Sequence, residues 1–123
     1  MEIPGRNYLF DAPHKTLVVA EVGNVHDGSL GNAHAYIDAV ADAGCDAVKF
    51  QCHIAESESS DQEGWPLRFA FHPQDRTRKG YWKRMEFSLE QWHALSAHAH
   101  RRGLLFIVSV FSLEAVEYMN AIA

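Results

Sequence analysis

Three short runs rich in apolar residues alternate along the chain with segments of helical periodicity. The runs cover residues 17–22, 46–51 and 104–110. Runs of this length and character are typical of strands buried on both faces of a parallel sheet. Residues 30–43 and 89–102 repeat apolar side chains at three- and four-residue steps, which predicts amphipathic helices. The alternation predicts an α/β fold with a parallel sheet and right-handed crossovers.

The ends of the predicted helices carry capping residues. Ser88 and Gln91 have the S-x-x-Q spacing of a capping box, which predicts a helix start at residue 89. Glycines follow the first two helices, where a left-handed residue usually ends a helix. The predicted caps are Ser29, Ser88 and Ser112 at helix starts and Gly44 and Gly103 at helix ends. Ser112 therefore predicts a third helix near the end of the sequence.

The predicted elements follow the order β-α-β, a long loop, then α-β-α. We interpret the loop, residues 53–87, as an active-site loop rather than a disordered insert, because it is long and rich in aromatic side chains. These aromatic residues are Trp65, Phe69, Phe71, Tyr81 and Trp82. Residues 1–16 are interpreted as a short lead-in hairpin. The 123 residues suit one core and not two, so we treat 1–123 as a single segment.

Composition excludes several classes of protein. The net charge of −5 and the absence of a basic stripe argue against nucleic-acid binding. One basic cluster is interspersed with acidic residues and is interpreted as a solvated face or an anion-binding loop: Arg76, Arg78, Lys79, Lys83 and Arg84. The N-terminus lacks the pattern of a signal peptide, and no apolar run approaches a membrane span. Two cysteines without a disulfide framework favour a reducing, cytoplasmic setting.

Polar side chains stand where all three predicted strands end. Glu21 ends the first strand, Lys49 and Gln51 the second, and Ser109 and Ser112 the third. Ligands of parallel α/β proteins bind at the carboxyl ends of the strands. An ammonium group neutralises a phosphate or carboxylate, an amide and hydroxyls add directional hydrogen bonds, and a carboxyl group moves protons. This set predicts a site for a small anionic substrate.

Structural roles explain some of the same residues equally well. Glu21 and Lys49 lie on strands expected to be neighbours, so a structural ion pair and a functional pair stand about even. Ser109 alone is more typical of a satisfied core hydroxyl. A solvated or packing role is favoured for seven of the eight histidines: His14, His34, His53, His72, His93, His98 and His100. His26 differs because its loop follows the first strand, where a hydrogen-bonded loop residue is favoured over a metal ligand.

Four segments together resemble one enzyme family. They are AEVGNVHDGSL at 20–30, DAVKFQCHIAE at 46–56, YWKRMEFSLEQWHAL at 81–95 and GLLFIVSVFSLEAVEYM at 103–119. The first is similar to the A-E-I-G-x-N-H-x-G signature of N-acetylneuraminate (sialic acid) synthases and related nonulosonate synthases. The second is similar to their K-F-Q-T-H-x-A-E segment, and the last to F-L-S-[ST]-P-F-S. The motifs occur in the family's order from about residue 17 onward.

The resemblance implies a (β/α)8 barrel that condenses phosphoenolpyruvate with an N-acylhexosamine such as N-acetylmannosamine and releases phosphate. It also implies a divalent cation, Mn or Mg, and a homodimer of the full-length enzyme. By matching motifs, Glu21 is the acid/base or orienting group, and Lys49 and Gln51 hold phosphoenolpyruvate. The same matching implies that Ser109 touches the anion. Looser substrate-binding roles fall to Asn24, His26, Tyr81 and Arg84.

The sequence departs from the family pattern in two side chains and in length. Val110 replaces the usual proline and Cys52 the usual threonine, and we interpret both as tuning because neither removes a charge. A closed barrel needs about 250 residues, so the chain resembles only the first three βα units. The family's further lysine, second glutamate and metal-binding histidines would lie beyond it. We therefore expect a partial barrel that is inactive alone.

Two alternatives to this assignment remain at this stage. The chain is a non-catalytic half-barrel that serves as an assembly or binding module, because three strands leave an exposed parallel edge. Otherwise it belongs to another phosphoenolpyruvate-using barrel enzyme, such as a 3-deoxy-heptulosonate or octulosonate synthase. The NVHDG and KFQ motifs disfavour this last class.

Overall fold

A computed structural model describes residues 16–63, 65 and 74–122. Within them the chain forms three strands, β1 (Val19–Gly23), β2 (Ala47–Cys52) and β3 (Leu105–Val110). It also forms five helices, which are α1 (Leu30–Asp42), α2 (Ala55–Glu58), α3 (Arg78–Met85), α4 (Leu89–Arg101) and α5 (Leu113–Ile122). The interpreted hairpin, residues 1–16, falls almost wholly outside the described residues, as do Phe69 and Phe71.

The strands form one parallel sheet in the order β1-β2-β3, as predicted. Each strand begins one or two residues later than predicted. The residue before β2 holds the start of the sheet together, because Asp46 contacts both outer strands. Its carboxylate accepts from the Val18 N–H at 3.0 Å, and its carbonyl accepts from the Leu105 N–H at 3.0 Å.

The pleat of β2 divides the sheet into two faces. Val48, Phe50 and Cys52 are at most 1% exposed and belong to the main core, which α1 and α4 cover. Trp92 of α4 meets the Phe50 ring edge-on at 6.3 Å. Lys49 alternates with these residues and therefore projects from the opposite face. The helices thus bury one face of the sheet and leave the polar residues on the other.

The predicted helix caps are confirmed. Ser29 Oγ accepts from the Asn32 N–H, and Ser88 forms a reciprocal capping box with Gln91. Ser112 Oγ accepts from the Ala115 N–H at the start of α5. The two glycines predicted to follow helices have positive φ, 77° at Gly44 and 74° at Gly103.

The described part of the segment 53–87 contains two helices that the sequence pattern did not predict, α2 and α3. Helix α3 lacks an apolar stripe, since its sequence RKGYWKRM buries only Met85. Its start is stabilised by Thr77, whose hydroxyl accepts from the Gly80 N–H at 3.0 Å. Tertiary contacts rather than amphipathic periodicity explain this helix.

His34 of α1 and His98 of α4, two of the histidines for which a packing role was favoured, join these two helices. His34 Nδ1 lies 2.8 Å from His98 Nδ1, and His98 Nε2 lies 3.0 Å from Asp38 Oδ1. Their packing role agrees with the expectation from sequence. Among the helices described, none is long and apolar enough to cross a membrane.

Replacing Gly28 with alanine is expected to destabilise the protein by about 2 kcal/mol or more. Gly28 has φ of +76°, and a Cβ there would overlap the backbone carbonyl oxygen of Arg84 in α3. The matched control is Gly31→Ala in α1, where a Cβ meets only Ser29 Oγ at 3.8 Å. The control is expected to be neutral or to stabilise by up to about 1 kcal/mol. Denaturant unfolding of the full-length protein measures both, and equal effects would contradict the assigned contact.

Candidate active site

Glu21 and Lys49 form an ion pair at the carboxyl half of the sheet. They are register partners on β1 and β2, and Lys49 Nζ lies 2.6 Å from Glu21 Oε2. The Lys49 side chain is 33% exposed and the Glu21 side chain is 45% exposed. A pair this exposed contributes at most about 1 kcal/mol to folding. Stability therefore gives little reason for the two charges, and both remain accessible to a ligand.

Gln51 extends this group toward the end of β2. It lies two residues after Lys49 on the same face, and its Oε1 accepts from Asn24 Nδ2 at 2.9 Å. Gly23 lies between Gln51 and Glu21. A Cβ on Gly23 would be 3.4 Å from Glu21 Oε1 and 3.6 Å from Gln51 Nε2. The bare glycine leaves room for an acid, an amide and an ammonium group to converge.

Ser109 completes a row across the sheet. It is the register partner of Gln51 on β3, just as Ile107 is the partner of Lys49. Register partners in a parallel sheet project from the same face. The structure therefore brings Glu21, Lys49, Gln51 and Ser109 to one face and one edge, as the sequence pattern predicts. Their roles toward a substrate stay predictions.

His26 lies apart from this group. Its ring is fully buried and packs against Phe87 at 4.7 Å and Phe50 at 6.2 Å, on the helix-covered side of the sheet. Nδ1 accepts from the Gly28 N–H at 3.1 Å, so the ring stabilises the loop that contains it. Burial lowers the pKa of His26 to about 4, so the imidazole is neutral at pH 7. The structure does not place it where a ligand at the open edge would touch it.

Arg84 fastens α3 to the loop that follows β1. Its Nε donates to both carboxylate oxygens of Asp75, at 3.0 and 3.1 Å, and its Nη1 donates to the Asp27 carbonyl at 3.0 Å. The hydrogen bonds to Asp75, chiefly, raise the pKa of the guanidinium above its usual range. The guanidinium also lies 5.6 Å from the centre of the Tyr81 ring. Burial raises the pKa of the Tyr81 hydroxyl. The structure places both residues beside the β1–α1 loop rather than with Lys49.

His53 is the residue that sequence reasoning missed. Its ring is 6% exposed and stacks between Trp82, at 3.7 Å, and Phe111, at 4.4 Å. Nδ1 lies 2.7 Å from Glu58 Oε2, and Nε2 lies 3.3 Å from Gln51 Oε1. A usable signal was its position two residues after Gln51, where the second strand ends.

Gln51 and His53 help to line an open cleft of about 530 Å³ at the carboxyl end of β2. The lining comprises Gln51, His53, Ser57, Glu58, Ser59, Arg78, Trp82 and Phe111. The cleft is large enough for a small organic ligand. Its walls come mostly from the segment 53–87, which supports the interpretation of that segment as part of a site.

A family model described as the NeuB family matches residues 36–123. This is most of the chain, and it includes β2, β3, α4 and the second half of α1. The chain belongs to the NeuB family. The resemblance to nonulosonate synthases noted in the sequence is thereby confirmed.

Individual NeuB relatives agree with this assignment. The chain is 32% identical over 107 residues to N,N'-diacetyllegionaminic acid synthase of Campylobacter jejuni, covering 86% of the chain and 32% of that protein. It is 27% identical over 117 residues to human N-acetylneuraminate-9-phosphate synthase, covering 95% of the chain and 32% of that protein. The chain thus spans about a third of the length of these relatives.

Solved structures confirm the predicted partial (β/α)8 barrel. The N-acetylneuraminic acid synthetase of Leptospira borgpetersenii superposes with a TM-score of 0.66 at 24% identity, over 89% of this chain and 34% of that one. The spore coat polysaccharide biosynthesis protein SpsE of Bacillus subtilis superposes with a TM-score of 0.57 at 27% identity, over 91% and 30%. The three parallel βα units of this NeuB chain therefore correspond to part of a barrel.

The described residues of this NeuB chain hold no group of three or more His, Cys, Asp or Glu side chains that could bind a metal ion. The divalent cation implied by the family resemblance finds no ligand set in this part of the chain. Both cysteines are free thiols, and burial raises the pKa of Cys52 to about 12. A buried thiol of this kind is a poor nucleophile at neutral pH.

Acid is expected to destabilise the protein through His26. Its pKa of about 4 is below the ordinary 6.5, so the fold favours the neutral ring. This stabilisation is complete above pH 6.5 and is lost as the pH falls to 4, which amounts to about 3 kcal/mol. His26→Asn keeps an acceptor for the Gly28 N–H but does not titrate. Free energies of unfolding measured between pH 7.5 and 4 should converge for wild type and H26N. Parallel curves would contradict the assignment.

Proposed function

We propose that this NeuB chain supplies the phosphoenolpyruvate half-site of a synthase that makes a nonulosonic (sialic-type) acid. The second substrate is an N-acylhexosamine resembling N-acetylmannosamine, and phosphate is the other product. The observation that carries the proposal is the contact of Lys49 with Glu21 at 2.6 Å, beside Gln51, at the carboxyl edge of a parallel sheet. Membership of the NeuB family supports the reaction class.

Lys49 is assigned to bind the anionic end of phosphoenolpyruvate. Its ammonium group is held by one carboxylate in a partly exposed pair, so a phosphate or carboxylate group can compete for it at little cost to the fold. Gln51 and Ser109, next along the same face, add hydrogen bonds that orient the anion. These three residues would bind the anion through charge and directional hydrogen bonds, without a deep apolar pocket.

Glu21 is assigned to orient the reacting carbons or to move a proton. In the condensation, the methylene carbon of phosphoenolpyruvate forms a bond to the aldehyde carbon of the open-chain sugar, whose oxygen takes up a proton. Water supplies an oxygen to the central carbon of phosphoenolpyruvate, and phosphate leaves. A carboxyl group beside the bound anion is suited to hold the water or the proton in these steps.

The acceptor class is inferred from the relatives. Those compared above are named as synthases of legionaminic acid and of N-acetylneuraminate 9-phosphate, so an N-acyl amino sugar is the proposed acceptor. The 530 Å³ cleft beside Gln51 is close enough to the edge to receive part of it. The divalent cation, the homodimer and the cytoplasmic setting belong to the same proposal.

One observation favours the second candidate, a non-catalytic binding module. Three apolar residues at the start of edge strand β1 are 39–49% exposed: Leu17, Val18 and Val19. An exposed apolar edge is a template for pairing with another chain. Size-exclusion chromatography of the isolated 123-residue chain with light scattering tests this candidate, since a monomer would contradict edge pairing.

Lys49→Ala and Glu21→Gln are each expected to reduce synthase activity at least about a hundredfold, because one removes the anion's charge partner and the other the carboxylate. The assay is phosphate release by the full-length protein from phosphoenolpyruvate and N-acetylmannosamine. Lys83→Ala serves as a matched control, because Lys83 pairs only with Glu86 on the surface among the contacts seen and is 64% exposed. Retained activity in K49A would overturn the assignment of that residue.

A further inference from the structure

The proposed function leaves the environment of His53 unexplained. The imidazole is buried and stacks between two aromatic faces, with Trp82 tilted by 8° and Phe111 by 11°. Its Nδ1 contacts Glu58, whose other oxygen accepts from the Ile54 N–H at 2.8 Å. A ring fixed on both faces and at one nitrogen can direct its second nitrogen at only one partner. That partner is the side chain of Gln51.

Two side chains hold the same end of the Gln51 amide. Gln51 Oε1 accepts from Asn24 Nδ2 at 2.9 Å and lies 3.3 Å from His53 Nε2. An amide oxygen accepts hydrogen bonds, and a histidine ring nitrogen that carries a hydrogen can donate one. His53 and Asn24 together therefore restrain the amide.

We propose that His53 is a positioning residue that holds the Gln51 amide in place for the substrate. His53 Nε2 and Asn24 Nδ2 both meet Gln51 Oε1, and the other end of the amide, Gln51 Nε2, lies beside Gly23 and close to Glu21. An NH2 group in this place can donate to an anion. The identity of the anion as phosphoenolpyruvate rests on the proposed function.

Two substitutions separate positioning from packing. His53→Gln loses the stacked ring but keeps a donor near the position of Nε2, whereas His53→Phe keeps the stacking and loses the donor. A positioning role predicts that H53Q binds phosphoenolpyruvate within about threefold of wild type, while H53F binds about tenfold more weakly. A purely structural role predicts the opposite order. Calorimetric titration of the full-length protein measures the dissociation constants.

The proposal is overturned if H53F binds phosphoenolpyruvate as tightly as wild type, or more tightly than H53Q.

Nuclear magnetic resonance of protein labelled with ¹⁵N-histidine tests the same contact without a ligand. The Nε2 signal of His53, assigned by its absence in H53F, is expected to shift in Gln51→Ala, which removes the partner of that nitrogen. An unchanged signal overturns the inference whatever the binding data show. If wild type fails to bind phosphoenolpyruvate, the proposed function is wrong, and this signal alone then decides the role of His53.

Discussion

The pairing of β2 with a parallel neighbour on each side is the constraint on which the rest of the structure depends. Because β2 is central, its alternate residues must face opposite sides of the sheet. Val48, Phe50 and Cys52 enter the core under the helices, so Lys49 and Gln51 face away from it. Burial of one set thereby orients the other.

Parallel register then carries this alternation to the neighbouring strands. Glu21 lies opposite Lys49, and Ser109 opposite Gln51, so four polar groups from three strands share one face. The amino-terminal edge is joined by Asp46, which hydrogen-bonds to both outer strands. The helix-covered face therefore holds the main core, while the polar groups lie on the other face.

A second layer, built from the described residues between His53 and Phe87, lies beside the carboxyl ends of the strands. Arg84 joins α3 to the loop after β1, and Gly28 lets the two backbones approach. Glu58 of α2 and Trp82 of α3 hold His53 against Gln51. This layer touches the end of each strand, so it connects the sheet to the cleft and restrains the side chains that would meet a ligand.

Local sequence was enough to predict the three strands, the three amphipathic helices, their serine and glycine caps, and the edge at which Glu21, Lys49, Gln51 and Ser109 meet. These features follow from periodicity and from the geometry of parallel strands, which short segments already encode. Tertiary structure decided the remainder. Helices α2 and α3 carry almost no apolar period, and His26 and His53 look alike in sequence. One is a neutral core ring and the other stacks beside the site, because each role depends on partners 24 to 61 residues away, which no local pattern specifies.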